Sequence, residues 1–250
     1  GGATGAASSF YLPLGRVKRV LEMIQAGKPV TRGTLQTVFT YAPFDELRRL
    51  GLDGGVEGEV RRQFPSYTGM LVVAQVQPGS DAFASLQPGD VLLRVNGRYV
   101  TQFEPLAAVL DEAVGKPVEL DLTRGGQPIT AKLTVGDLHA ITPASYVEVG
   151  DAIVHTLSWQ QARHFNIAVR GAYVANPGYM LTASAVPRGA VILAINGRPI
   201  NGIDDFADTL ARAGHGERLS MRYTTIDDPN GTQLRSVRVD RRWFPGKRCE

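Results

Sequence analysis

The chain has 250 residues, 43% hydrophobic and 20% charged, which leaves room for one large or two small globular domains. A formal net charge of +3 and a pI near 9.1 come without a basic stripe and reading element, which argues against nucleic-acid binding. No apolar run approaches the roughly 20 residues of a membrane helix, so no membrane partner is expected, and Cys249 as the single cysteine excludes an intrachain disulfide, a thiolate metal cage and a redox pair.

The chain opens on GGATGAASS with no charged-then-apolar leader and closes on WFPGKRCE without a turn or cap, so a piece of something longer is expected. In SFYLPLGRVKRVLEMIQAGKPVTRG an apolar strand ends at Pro13, and Val17, Val20, Leu21 and Ile24 then fall on one helical face, which by itself reads as a core face. TLQTVFTY (Thr34–Tyr41) reads as a strand and FDELRRLGL as a helix. DGGVEGEVRRQFPSY, Asp53 to Tyr67, is read as a lengthened connection, since most connections run about 4–6 residues. It is either a contact or regulatory loop or a surface excursion.

Val91, Leu93 and Val95 alternate up to Asn96-Gly97, a strand entering a turn that needs positive φ. Phe103, Leu106, Val109, Leu110 and Ala113 then share a helical face, and Gly115-Lys116-Pro117 stops that helix. Two alternating runs, Val118 to Leu122 and Ile129 to Val135, flank Gly125-Gly126 and predict a hairpin.

One hundred residues after VLLRVNGRYV (Val91–Val100), the chain repeats itself as VILAINGRPI (Val191–Ile200). The second copy predicts strand YVEVGDAIVHTL, helix SWQQARHF, strand AVILAIN, a helix with Ile203, Phe206 and Leu210 inward, strand ERLSMRYTT, turn DDPNG and strand QLRSVRVD. DDPNG has calcium-loop ingredients, but the ligand spacing fails and a hairpin turn accounts for every residue. Each copy is thus strand, helix, strand, strand, helix, hairpin: an α+β, β-rich class whose order excludes a doubly wound sheet. A helix beside an edge strand suits capture of an extended peptide as one more strand.

GMLVVAQVQPGSDAFASLQPGDVLLRVNG, Gly69 to Gly97, resembles a PDZ domain of the HtrA (Deg) serine proteases. In these a strand leads through Pro-Gly-Ser, a short Ala-rich helix and Pro-Gly-Asp to a strand ending in Asn-Gly. Pro presets φ and Gly takes the unusual dihedral in each such turn. GYMLTASAVPRGAVILAINGR keeps part of the pattern, with Arg188-Gly189 where Gly-Asp belongs. The first thirty residues resemble the end of an HtrA protease domain and its linker helix. GGATGAASSFYLPL, RGTLQ, DELRRLGL, YVEVGD and DRRWF look most like the large Deg proteases, which carry two protease-like halves, the second degenerate, and several PDZ domains. The resemblance implies residues 1–30 as a terminal strand and helix of a protease domain, 31–138 as a PDZ domain and 139–246 as a PDZ-like domain. It implies two partly open β-barrels or sandwiches, each capped by helices.

No Gly-Asn-Ser-Gly-Gly, the family's nucleophile motif, and no Gly-x-Ser-x-Gly occurs in the chain. Ser8 and Ser9 fall on the expected strand without a base, and His139, His155, His164 and His215 share no metal-ligand spacing. GGATG lacks the Lys-Ser/Thr of a phosphate loop. No catalysis, metal or cofactor is therefore expected of this segment, and the resemblance implies that a longer protein is an ATP-independent serine endopeptidase.

The family's carboxylate loop and peptide-binding strand fall on Thr34, Leu35, Gln36, Thr37, Val38 and Phe39 in the first copy. In the second they fall on Glu148, Val149, Gly150, Asp151, Ala152 and Ile153. Such a loop works by converging backbone amides on one anion. Gln36 replaces the usual glycine, and Glu148 and Asp151 put negative charge beside an anion site. The facing helix is expected to offer Leu106, Val109 and Leu110, and Phe206, Thr209 and Leu210. The expected function is a tandem PDZ segment that binds extended or C-terminal peptide by strand addition and regulates an adjoining protease domain. The alternative is an architectural pair making interdomain and oligomer contacts. Expected partners are unfolded or C-terminal peptide segments, the adjoining protease domain, and further copies in a homo-oligomer.

Overall fold

The computed structural model describes residues 14–242 and 246–249. The strand expected before Pro13, with Ser8 and Ser9, lies outside the described residues. The first half runs α1 Leu14–Gln25, β1 Gly33–Thr34, β2 Thr37–Pro43, α2 Phe44–Arg49, α3 Gly54–Gln63, β3 Gly69–Val76, a 3-10 turn Asp81–Ala84, β4 Val91–Val95, β5 Arg98–Tyr99, α4 Phe103–Glu112, β6 Pro117–Arg124 and β7 Gln127–Thr134. The second runs β8 Gly136–Asp137, β9 Tyr146–Val149, β10 Ala152–Thr156, α5 Trp159–Phe165, β11 Ala172–Asn176, α6 Gly178–Thr182, β12 Ala190–Ile195, β13 Arg198–Pro199, α7 Ile203–Arg212, β14 Arg218–Thr225, β15 Gln233–Arg238 and β16 Lys247–Cys249.

The two larger sheets share one plan. The first has the order β2-β3-β4-β6-β7, with β5 on β4; the second has β15-β14-β12-β11-β10-β9-β16, with β13 on β12. The pairs β3–β4, β4–β6 and β6–β7 in the first sheet and β9–β10, β10–β11, β11–β12, β12–β14 and β14–β15 in the second are all antiparallel. The repeated Asn-Gly does the same two jobs in each. Asn96 and Asn196 sit at φ 50, and Gly97 and Gly197 at φ 76, the paired left-handed turn that suits strand twist. Their side-chain oxygens then accept from Glu119 N (2.9 Å) and Ser220 N (2.8 Å), tying each turn to the following strand.

By packing, the chain forms two compact units. Of the described residues, one holds those up to Thr34 with Thr40–Val72 and Gly89–Val135; the other holds Leu35–Phe39, Val73–Pro88 and those from Gly136 onward. Within the second unit, Gln75 Nε2 donates to Arg163 O (2.8 Å) and Gln77 Nε2 donates to Ile167 O. A core of Ala42, Phe44, Leu47, Leu52, Val60, Met70, Val72 and Val91 lies in the first unit. Ile192, Phe206 and Met221 lie at the centre of the main core of the second, all fully buried.

Three expectations are corrected. Asp53–Tyr67 is not an open loop: the Asp53 carboxylate caps α3 by accepting from Gly55 N (2.8 Å) and Val56 N (3.2 Å), and Val60 packs into the core. Two glycines in its first turn and a single full turn between Val56 and Val60 had masked its helical period. The stripe on α1 is not a core face, because Val17, Leu21 and Ile24, with Leu14, are 52–68% exposed. The opposite side of α1 is anchored instead, with Arg19 Nη1 donating to Ala108 O at 2.9 Å. YVEVGDAIVHTL is not one strand but the hairpin of β9 and β10.

Candidate peptide-binding site

In the first sheet, β2 is the outermost strand, so among the described residues one of its flanks has no strand beside it. Thr37, Val38 and Phe39 lie on β2 and are half-buried, while Thr34 and Leu35 before it are buried. Gln36 takes the left-handed region at φ 52, its carbonyl accepts from Gln77 N (3.0 Å), and Thr37 Oγ1 donates to Leu35 O (3.2 Å). A non-glycine residue there stores about 1–2 kcal/mol of backbone strain. Upstream, Gly33 N donates to Asp111 Oδ1 (2.8 Å) and Thr31 Oγ1 to Asp111 O (2.7 Å), and a Cβ on Gly33 would meet Leu110 O at 2.0 Å. Gly33, in β1, thus lets the chain cross the end of α4 at backbone contact. On α4, Leu106 and Leu110 are buried and Val109 is half-buried.

The second sheet differs at the equivalent place. β10 pairs with β11 on one side and β9 on the other, with Ala152 opposite Val149, Ile153 opposite Glu148 and Val154 opposite Val147. Gly150 (φ 55) and Asp151 (φ 62) are the two central residues of a tight turn with both φ positive, the hairpin type whose twist matches its strands. The turn packs closely on the start of α6. Gly150 O accepts from Tyr179 N and Met180 N, both at 3.0 Å, and a Cβ on Gly150 would lie 2.3 Å from Met180 Cβ. Of the expected helix residues, Phe206 and Leu210 are buried in the core and Thr209 is half-buried.

β16 lies on the other flank of β9, with Lys247 opposite Glu148 and Cys249 opposite Tyr146. Lys247 Nζ stands 3.4 Å from Glu148 Oε2, and Arg248 Nη1 donates to Asp204 Oδ1 at 2.6 Å. The hydrogen bond to Glu148 holds the Lys247 ammonium above its ordinary pKa, and a hydrogen bond with Cys249 raises that of the Tyr146 phenol. The charge of Glu148, expected to repel a carboxylate, is thus partnered by Lys247. Sequence reasoning missed Tyr146, Val147, Lys247 and Arg248. The available signal was Gly150-Asp151, a two-residue hairpin turn between alternating apolar positions.

Elsewhere, His155 Nδ1 lies 2.7 Å from Thr156 O and His164 packs edge-on to Phe165. Among the described residues no three His, Cys, Asp or Glu side chains gather to hold a metal. DDPNG is closed by its own turn, with Gly231 N donating to Asp228 Oδ1 at 3.0 Å.

The class follows from this geometry together with two family matches: residues 72–124 match the PDZ domain family and residues 140–215 the PDZ-like domain family. The chain carries two PDZ domains in tandem, and its homologues are HtrA/Do-like serine proteases. It is 44% identical over 245 residues to a pro-apoptotic serine protease NMA111 of Ajellomyces capsulatus, covering 98% of this chain and 24% of that one. It is 42% identical over 256 residues to Protease Do-like 7 of Arabidopsis thaliana, covering 98% and 23%. The chain therefore spans about a quarter of the length of these curated relatives. Among solved structures, an HtrA-type protease AlgW with decapeptide matches 50% of this chain and 35% of its own at 22% identity and TM-score 0.38. The HtrA3 PDZ domain bound to a phage-derived ligand matches 42% and 86% at 17% identity and TM-score 0.29.

Proposed function

We propose that the chain is the tandem PDZ segment of an HtrA/Deg-type, ATP-independent serine endopeptidase, and that its first domain takes extended or C-terminal peptide by strand addition on β2. The observation that carries this reading is that, among the described residues, one flank of β2 has no strand beside it, so that backbone donors and acceptors there can be satisfied by an incoming strand. The names of the relatives supply the protease, and those chains extend well beyond the quarter of their length matched here. The exposed apolar stripe of α1, Leu14, Val17, Leu21 and Ile24, supports contact with an adjoining protease domain. Calorimetric titration of the chain with a library of hydrophobic C-terminal peptides tests the proposal. Saturable binding that protects the amides of Thr37–Pro43 from exchange is expected; its uniform absence at high peptide concentration overturns it.

The second reading, an architectural pair, is favoured by one observation, the filled flank of β10. Light scattering with and without the protease half separates the two, because scaffolding alone predicts changed assembly and no peptide affinity.

A further inference from the structure

β9 meets each requirement of a peptide seated in a PDZ groove, although it is part of the same chain. Its backbone completes the edge of β10 in antiparallel register. Its side chains alternate as an added strand's must: Val147 and Val149 are buried, Tyr146 is exposed and Glu148 half-buried. The two valines face α7, lining with Ala207, Leu210 and Ala211 a small cavity of about 150 Å³. β16 then covers the outer flank of β9, held by the Lys247–Glu148 and Arg248–Asp204 ion pairs. Nothing comparable flanks β2 among the described residues.

We propose that β9 is a resident ligand of the second domain, which becomes a peptide-binding site only when β9 is displaced, and that its occupants resemble β9. They are extended segments with β-branched apolar residues at alternate positions. The inference rests on the strand-addition reading of these domains, applied to a different groove. Ligand chemistry follows from the pocket. The cavity that Val147 and Val149 help to wall is also lined by Ala207, Leu210, Ala211 and Val239, so compact apolar side chains suit it, and its Arg241, Lys247 and Arg248 disfavour a basic one. The closed state follows from tethering, because a strand joined to its site through two residues competes at an effective concentration of at least about millimolar. The latch residues are of a different kind from the valines. Lys247 and Arg248 have side chains 66% and 45% exposed, so their ion pairs are screened and weak, suited to a strand that can leave.

The test uses a fluorescein-labelled peptide Ser-Tyr-Val-Glu-Val, the sequence of Ser145–Val149, with the whole chain, read by anisotropy and by amide hydrogen exchange. In the unaltered chain, protected amides across Val147–Val154 and no peptide-dependent change at Ala152–Thr156 are expected. Val147→Gly with Val149→Gly removes the side chains that hold β9. The expected result is at least about tenfold tighter peptide binding, gained as new protection at Ala152–Thr156. If that variant loses its fold by circular dichroism, Lys247→Glu with Arg248→Glu decides instead, since it alters only exposed side chains. Faster exchange across Tyr146–Val149 and measurable peptide binding at β10 are then expected. Fast exchange of β9 in the unaltered chain overturns the proposal, as does a folded variant with unchanged affinity. Peptide protection confined to Thr37–Pro43 also counts against it while leaving the first-domain reading intact, and loss of that protection alone does the reverse.

Discussion

β2 and β10 hold the same place in two sheets of one plan, yet β2 ends its sheet and β10 lies inside its own. The difference comes down to the residues that precede each strand. Before β10, Gly150-Asp151 turns the chain straight back, so the preceding strand must lie alongside. Before β2, one left-handed residue, Gln36, only bends the chain, and Gly33 and Thr31 are tied to Asp111 at the end of α4. Duplicated folds can therefore differ in whether their binding edge is available through the turn chemistry of two residues, while the order of the five shared strands is kept.

A second contrast is energetic. Asp90, fully buried, is gripped by Arg124 through Nε (2.7 Å) and Nη2 (2.8 Å). The register pairs Val91 with Thr123 and Val191 with Thr224, so the corresponding positions in the second domain are Ala190 and Thr225. One domain joins these strands with a bidentate ion pair, and the other has an alanine opposite a threonine there.

The largest effect should come from the helix residues. Phe206→Ala opens a cavity in the core of the second domain and should cost about 3–5 kcal/mol in urea unfolding, whereas the half-buried Val109→Ala in α4 should cost under about 1. Comparable losses would show that Val109 is packed as deeply as Phe206. Next, Arg124→Ala removes the bidentate partner of the buried Asp90 carboxylate and should cost about 3 kcal/mol by the same measurement. The double change Asp90→Ala with Arg124→Thr, which copies the second domain, should return to within about 1 kcal/mol of the starting stability. Asp53→Ala, removing the cap of α3, should cost about 1 kcal/mol and raise amide exchange in Gly54–Gln63 first. Smallest of all, Gln36→Gly should stabilise by about 0.5–1 kcal/mol, the relieved left-handed strain less the added chain entropy of glycine. A loss instead would mean that the Gln36 side chain holds the loop before β2.

The repeat, the helices at Phe103 and Ile203, the hairpins after them and the Asn-Gly turns were legible because each is a local pattern: period 2, period 3.6 or a left-handed dipeptide. α3 was hidden because two glycines dilute its first turn, and its identity rests on the cap and on Val60 reaching the core. The stripe of α1 read as a core face because periodicity reports amphipathicity and not what covers the apolar side. The peptide-binding residues were legible as a segment, and what each does was not. Val149 and Ile153 stand four residues apart in what reads as one strand, yet they belong to different strands.

The amino-acid order alone determined two β-rich copies, their α+β class and the resemblance that places them among PDZ domains, because backbone propensity and turn sterics act over a few residues. Only the tertiary structure decided which edge is open. Occupancy of an edge depends on what lies across 4.8 Å of space, about one strand spacing. In the second sheet one of the strands that arrives, β16, comes from about a hundred residues along the chain.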